Sequence, residues 1–205
     1  QAVTYQEGRK VRNSRRGRAM EKGSKFGREQ QGEEWQSAEV TALYKLADIG
    51  VRVPKPYGCF DGVLLMELIT YDGGDIAPRL NDVSMTEEQA LVDHKTLMHD
   101  IMRMLCAGLV HGDLSPFNVL IDDHGPVIID LPQAVDAAAN NNAQSMHLRD
   151  VENITNYYAQ FAPQLSNTRY APEMWALFEA GDLQPNTELT GEFEEDTESA
   201  DVDTV

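Results

Sequence analysis

The run "LVHGDLSPFNVLIDDHGPVIIDLPQ", residues 109–133, constrains this chain most, because it sets His111, Asp113, Asn118 and Asp130 within stretches apolar enough for buried strands. Taking a carboxylate out of water is costly unless it is paired, hydrogen-bonded or bound to a cation. A fold that accepts this run must gather those four groups around something that repays their burial.

The segments 119–121 and 127–129 read as two short apolar strands, with "DDHGP" (122–126) between them as a loop of turn-forming residues. Pairing Ile121 with Val127 sets Leu120 against Ile128, Val119 against Ile129 and Asn118 against Asp130. Directly opposed residues hold their Cβ atoms roughly 4.5–5.5 Å apart. An amide carbonyl and a carboxylate at that separation are expected to share a hard cation. Mg²⁺, or Mn²⁺ in its place, suits them because it takes few protein ligands and fills its shell with water and phosphate oxygens. Asp113 lies five residues before Asn118, on the loop entering the hairpin, where it is placed to accept the proton of an incoming hydroxyl. His111 reads as a structural hydrogen-bonding residue. One base and two metal ligands are what phosphoryl transfer from a nucleotide needs, since positioning and charge neutralisation supply most of that catalysis. The order H-x-D-x(4)-N-x(11)-D follows the protein-kinase pattern of a catalytic Asp, an Asn five later and a metal-binding Asp beyond.

Charge divides the chain unevenly. Its formal net charge is -17, yet nine of its 17 Lys and Arg lie between Arg9 and Arg28, with Glu21 the one acid among them. A basic arm (1–28) is thus joined to an acidic body, which argues against nucleic acid as the default partner. Cys59 and Cys106 have no metal-ligand spacing and point to a reduced, cytoplasmic compartment. No apolar run approaches the roughly 18–20 residues that span a bilayer. The start at Gln1, within polar sequence, leads to the expectation of missing upstream residues.

Four regions follow. Residues 1–28 are expected to form a flexible basic arm, and 29–69 to hold a helix ending at Gly50, a Pro-interrupted connector "VRVPKPYGCF" and a buried strand "GVLLMELIT" after an Asp61-Gly62 turn. Residues 70–182 carry a long helix opened by a Ser84/Glu87 capping box, the hairpin, a helix from about Ala143 to Phe161 with Val151, Ile154 and Tyr158 on its buried stripe, and a short helix Pro172–Ala180. Residues 183–205 are an acidic tail, expected to be disordered, with eight acids and no base from Glu188 onward.

"LVHGDLSPFNVLI" followed by "VIIDLPQAVD" resembles the catalytic and metal-binding segments of the RIO family of atypical serine/threonine protein kinases. "EEWQSAEVTALYKLADIGVRVPKPYG" is similar to that family's regulatory helix and connector, "GVLLMELI" to its hinge strand and "GGDIAPRL" to the loop beyond. "VRNSRRGRAM" and "PRLNDV" look like bacterial members. The resemblance implies an α+β, protein-kinase-like fold with a partial N-lobe and a mainly helical C-lobe. It implies Asp113 as catalytic residue, Asn118 and Asp130 as metal ligands, and Asp130 also as acceptor of a phosphoryl group in an aspartyl-phosphate. Glu39 would pair with a phosphate-anchoring lysine, and the backbone of Glu67 and Ile69 would hydrogen-bond the adenine of ATP. No Gly-rich phosphate loop and no V-A-I-K-like strand precede Glu39, while Lys10, Lys22 and Lys25 lie in polar surroundings. The chain is accordingly expected to be N-terminally incomplete and a weak ATP binder by itself. Ser14 and Ser24, each near Arg or Lys, are candidate autophosphorylation sites, and nine clustered cations allow contact with RNA or a ribosomal particle. Against a protein substrate stand two alternatives: a small-molecule phosphotransferase of the aminoglycoside or choline kinase kind, and a non-catalytic kinase-like binding module.

Overall fold

The computed structural model describes residues 38–60, 63–131 and 133–194. The basic arm with Ser14 and Ser24, the helix start at Glu29, the Asp61-Gly62 turn and residues 195–205 lie outside them. The described chain is mixed α+β: four helices and three two-stranded antiparallel pairs.

The first helix, α1 (residues 38–48), buries Ala42, Leu43 and Leu46 and stops at Gly50, whose φ of 81° only glycine adopts without strain. The Val51 N–H returns to the Leu46 carbonyl at 3.0 Å, capping the last turn. The connector then departs from expectation. Its second half is a strand, β1 (Pro56–Phe60), paired with β2 (Val63–Met66). Nor is β2 buried: Val63 is 67% exposed and Leu65 52%, because the pair stands on the surface with no described element over that face. Apolar content alone does not distinguish a covered strand from an uncovered one.

The long helix α2 (Glu87–Cys106) forms the centre of the core, burying Leu97, Met98, Ile101, Met102 and Leu105. Each such side chain contributes about 1.5–3 kcal/mol of burial. Its cap is Thr86, not Ser84: the Thr86 hydroxyl accepts from the Gln89 N–H at 3.2 Å. The cap therefore lies two residues later than the Ser84/Glu87 reading, and the Gln89 side chain donates to Asp93 Oδ1 at 2.8 Å. Gly108 (φ 74°) turns the chain into β3 (Leu109–Val110), which pairs with β6 (Val135–Asp136).

The hairpin β4 (Val119–Asp122) and β5 (Gly125–Ile128) closes through two residues, Asp123 and His124. Val119 faces Ile128 and Leu120 faces Val127, one residue off the expected register. Asn118 accordingly meets Ile129, whose N–H donates to its carbonyl at 3.0 Å, and is not opposed to Asp130. The Arg52 guanidinium reaches the turn from the connector and holds both Asp122 oxygens, at 3.1 and 2.7 Å.

Two helices complete the lower half: α3 (Ala143–Tyr158), which buries His147, Asp150, Val151, Ile154 and Tyr158, and α4 (Tyr170–Ala180), with Pro172 in its first turn. One apolar cluster joins α1 through α4. The tail expectation fails for residues 188–192. The Glu173 carboxylate accepts from the Thr190 and Gly191 N–H groups at 2.7 and 2.8 Å, so this stretch is fastened to α4.

Two outcomes follow from this packing. Thr86→Ala should lower the unfolding free energy by about 1 kcal/mol, and Ser84→Ala should leave it nearly unchanged, as read by urea titration. Asp100, buried on α2 with Oδ2 lacking a hydrogen-bond partner among the described residues and Oδ1 3.3 Å from Arg103, is pushed by burial up to about 6, with Arg103 and Arg52 opposing. A raised carboxyl stabilises the fold while protonated, and that contribution is lost as pH rises from about 4 through 6. His94 and His147, lowered by burial to about 4, act with opposite sign over the same range, so only a difference measurement isolates Asp100. Asp100→Asn should gain roughly 2–3 kcal/mol relative to the parent chain between pH 4 and pH 7 in parallel urea titrations.

Candidate functional site

The site is built on the turn that follows β3. Gly112 adopts a φ of 84°, and a Cβ there would stand 2.8 Å from the Gln133 carbonyl oxygen, so no larger residue fits. On either side of Asp113 the backbone is gripped by one buried carboxylate. Asp150 accepts from the Gly112 N–H at 2.7 Å and from the Leu114 N–H at 2.9 Å. Its neighbours on α3 take the matching carbonyls. Arg149 donates to Gly112, and the Asn153 amide donates to Leu114 at 3.1 Å. Every backbone polar group of Gly112 and Leu114 is thereby satisfied by three side chains of one helix, and Asp113 is left exposed at the apex.

His111 ties this turn to the hairpin. Its Nδ1 accepts from the Asp113 N–H at 3.3 Å, so Nε2 carries the proton and donates to the Ile129 carbonyl at 3.0 Å. Burial lowers its pKa and favours this neutral form, although the hydrogen bond to Ile129 and the charges of Asp130 and Asp113 pull the other way. The charges of both acids are thus felt at one imidazole.

Asn118 closes the loop. Its Nδ2 donates to the Asp113 carbonyl at 2.7 Å, and Oδ1 has no hydrogen-bond partner among the described residues. Asp130 follows β5 with a φ of 65°, the one non-glycine residue with positive φ among those described. Such a conformation costs roughly 1–2 kcal/mol and is a marker of functional sites. It turns Asp130 out of the strand and leaves it exposed.

From α1, the Glu39 carboxyl accepts the Leu131 N–H next to Asp130. Its pKa is raised first by burial and then by the Asp130 charge, with that hydrogen bond opposing. Two like charges so placed favour a cation between or beside them. Among the described residues no group of three or more His, Cys, Asp or Glu forms a ready-made metal cage. Asp130 and Asn118 carry oxygen donors of the kind a hard cation takes when phosphate and water fill the rest of its shell.

After β2, the exposed Glu67 is tied to the connector. Its N–H donates to the Lys55 carbonyl at 2.9 Å and its Oε2 accepts from the Lys55 N–H at 3.0 Å. Neither the Glu67 carbonyl nor the Ile69 N–H makes a backbone hydrogen bond among the described residues, which leaves one acceptor and one donor two residues apart. A separate cavity of about 470 Å³ lies between the start of α2 and the β4–β5 turn and is lined by none of these site residues.

Sequence reasoning missed the supports. Asp150 shares the α3 stripe with His147, Val151, Ile154 and Tyr158 at helical spacing, and an acid on an apolar stripe was the available signal. Arg149 and Asn153 carried none.

The family model for the RIO domain matches residues 1–171. The chain belongs to the RIO domain family. Similar curated proteins agree: the RIO-type serine/threonine-protein kinase Rio1 of Haloferax volcanii is 39% identical over 125 residues, 60% of this chain and 41% of that protein. The protein of the same name from Thermoplasma acidophilum is 36% identical over 125 residues, 60% of this chain and 63% of its own length. The serine/threonine-protein kinase RIO1 of Caenorhabditis elegans is 29% identical over 137 residues, 66% of this chain and 26% of that protein. The chain thus spans less than two thirds of each relative. The RIO domain described here has a protein-kinase-like α+β fold, and no helix of its described residues is long and apolar enough to cross a membrane.

If Asp150 supports the turn as described, Asp150→Ala leaves two buried N–H groups unpaired. It should cost about 2–5 kcal/mol in a denaturant titration, whereas Asp150→Asn, which keeps one acceptor oxygen, should cost less.

Proposed function

We propose that this RIO domain transfers the γ-phosphoryl group of ATP to serine or threonine hydroxyls of a protein, with a divalent cation, Mg²⁺ or Mn²⁺, as cofactor. One observation carries the reading: the exposed Asp113 carboxylate is held on a turn whose backbone is fully hydrogen-bonded, with the Asn118 amide on its carbonyl and His111 linking it to Ile129, the residue before Asp130.

In this reading Asp113 orients the acceptor hydroxyl and takes its proton as the new bond forms between that oxygen and the γ-phosphorus. The bond to the bridging oxygen breaks, and ADP leaves with the electron pair. Asn118 Oδ1 and the Asp130 carboxylate would hold the cation, which when bound neutralises charge on the phosphate oxygens. Glu39 adds negative potential beside Asp130, where a phosphate-anchoring lysine ammonium would be attracted. The Glu67 carbonyl and the Ile69 N–H would read the adenine edge. Asp130 stands free enough to accept a phosphoryl group itself, which would give an aspartyl-phosphate and, on its hydrolysis, ATPase turnover. Ser14 and Ser24 remain proposed autophosphorylation sites, and RNA or ribosomal particles a proposed contact of the basic arm. Both thiols, Cys59 and Cys106, are free, which suits a reducing, cytoplasmic setting.

The test uses the full-length protein with radiolabelled ATP, Mg²⁺ and a mixture of protein substrates. Asp113→Asn should lower phosphate incorporation by at least about 10²–10⁴-fold, the range of a general base, with its melting temperature maintained. Incorporation that persists at the parental rate would refute the role given to Asp113. Label found only on added small alcohols would favour a small-molecule phosphotransferase.

A further inference from the structure

Between Asp113 and Asn118 the chain is pinned at both ends, yet it turns an aromatic ring outward. The turn Pro116–Asn118 is held by the Asn118 N–H on the Ser115 carbonyl at 2.9 Å, by the Asn118 amide on the Asp113 carbonyl at 2.7 Å and by the fixed φ of Pro116. Its neighbours Leu114 and Val119 are fully buried, whereas Phe117 is 53% exposed. The turn Leu80–Asp82 packs against it and is itself anchored, since the Tyr157 hydroxyl donates to the Leu80 carbonyl and to the Val83 carbonyl at 3.2 Å. The fold gains little from that ring.

Resting on the phosphoryl-transfer reading above, we propose that Phe117 determines substrate specificity: its ring is the platform for an aromatic or aliphatic side chain close to the acceptor serine or threonine. Three observations converge on this chemistry. The ring lies next to Asn118, whose amide touches Asp113, so its distance from the acceptor hydroxyl is on the order of 10 Å, two or three residues of extended peptide. The segment 113–118 contains no Lys or Arg, so nothing in it would recruit an acidic flank. A rigid aromatic ring gives contact area at low entropic cost, as binding anchors do. The exposed Val63 and Leu65 belong to the β1–β2 pair and lie outside this turn.

The experiment measures kcat/KM of the full-length protein on matched serine peptides that differ only two or three residues from the acceptor, carrying Phe, Leu, Gly, Arg or Glu there. The parent should favour Phe and Leu over Gly by about tenfold or more, the scale set by an apolar pocket. Phe117→Ala should bring that ratio to within about twofold, mostly through KM, Phe117→Tyr should retain it, and Phe117→Glu should shift preference to Arg. A parent that favours Arg or Glu, or that shows no preference, overturns the proposal, as does an apolar preference that survives Phe117→Ala. Asp113→Asn separates the two levels. If it too transfers phosphate at the parental rate, the phosphoryl-transfer reading has failed. If it is silent while the parent ignores the flank, the role of Phe117 alone has failed.

Discussion

The described structure turns on one buried carboxylate. Asp150 lies on α3 with 2% of its surface exposed and spends both oxygens on the N–H groups that bracket Asp113. Burying that acid in an apolar helix face carries a desolvation cost, visible in a pKa raised to about 6, chiefly by burial and against its hydrogen bonds to Gly112 and Leu114. What it secures is rigidity. A turn with a left-handed glycine and no regular secondary structure would otherwise leave its backbone groups to water. Fastened from below, it presents Asp113 in one position, and electrostatic or proton-transfer chemistry requires such placement.

From that turn the other groups are set in sequence. His111 passes the connection to Ile129 at the end of β5, Asn118 returns to the Asp113 carbonyl, and Asp130 emerges where the strand ends. The strain at Asp130 is local and is held by pairing on one side and by the Glu39 contact with Leu131 on the other. Because α1 shares the main apolar cluster with α2, α3 and α4, Glu39 is placed by core packing and not by a loop. Candidate site and core are thus one mechanical unit, with Asp113 and Asp130 at the exposed ends of buried supports.

Much of this was legible before any coordinates. The polar residues within apolar strands marked the candidate site, helical periodicity located α2 and α3, and Gly50 marked the end of α1. The errors share a cause. Thr86 caps α2 although Ser84 offers the same local pattern, β2 is exposed although it reads as buried, and residues 188–192 are held although their composition is that of a solvated tail. In each case a partner distant in sequence decided, and local pattern carries no record of it.

The hairpin shows where the division falls. Sequence by itself determined that two apolar strands would bring Asn118 and Asp130 to the same end, since strand alternation and turn chemistry are local properties. It did not determine the register. A two-residue turn replaced a five-residue loop and moved the pairing by one, so that Asn118 faces Ile129 and Asp130 reaches the site through a left-handed backbone. Only tertiary structure decided that, because the cost of strain at one residue is weighed against packing of β5 on α2 and hydrogen bonds from His111 and Arg52, none of which is a neighbour in the chain.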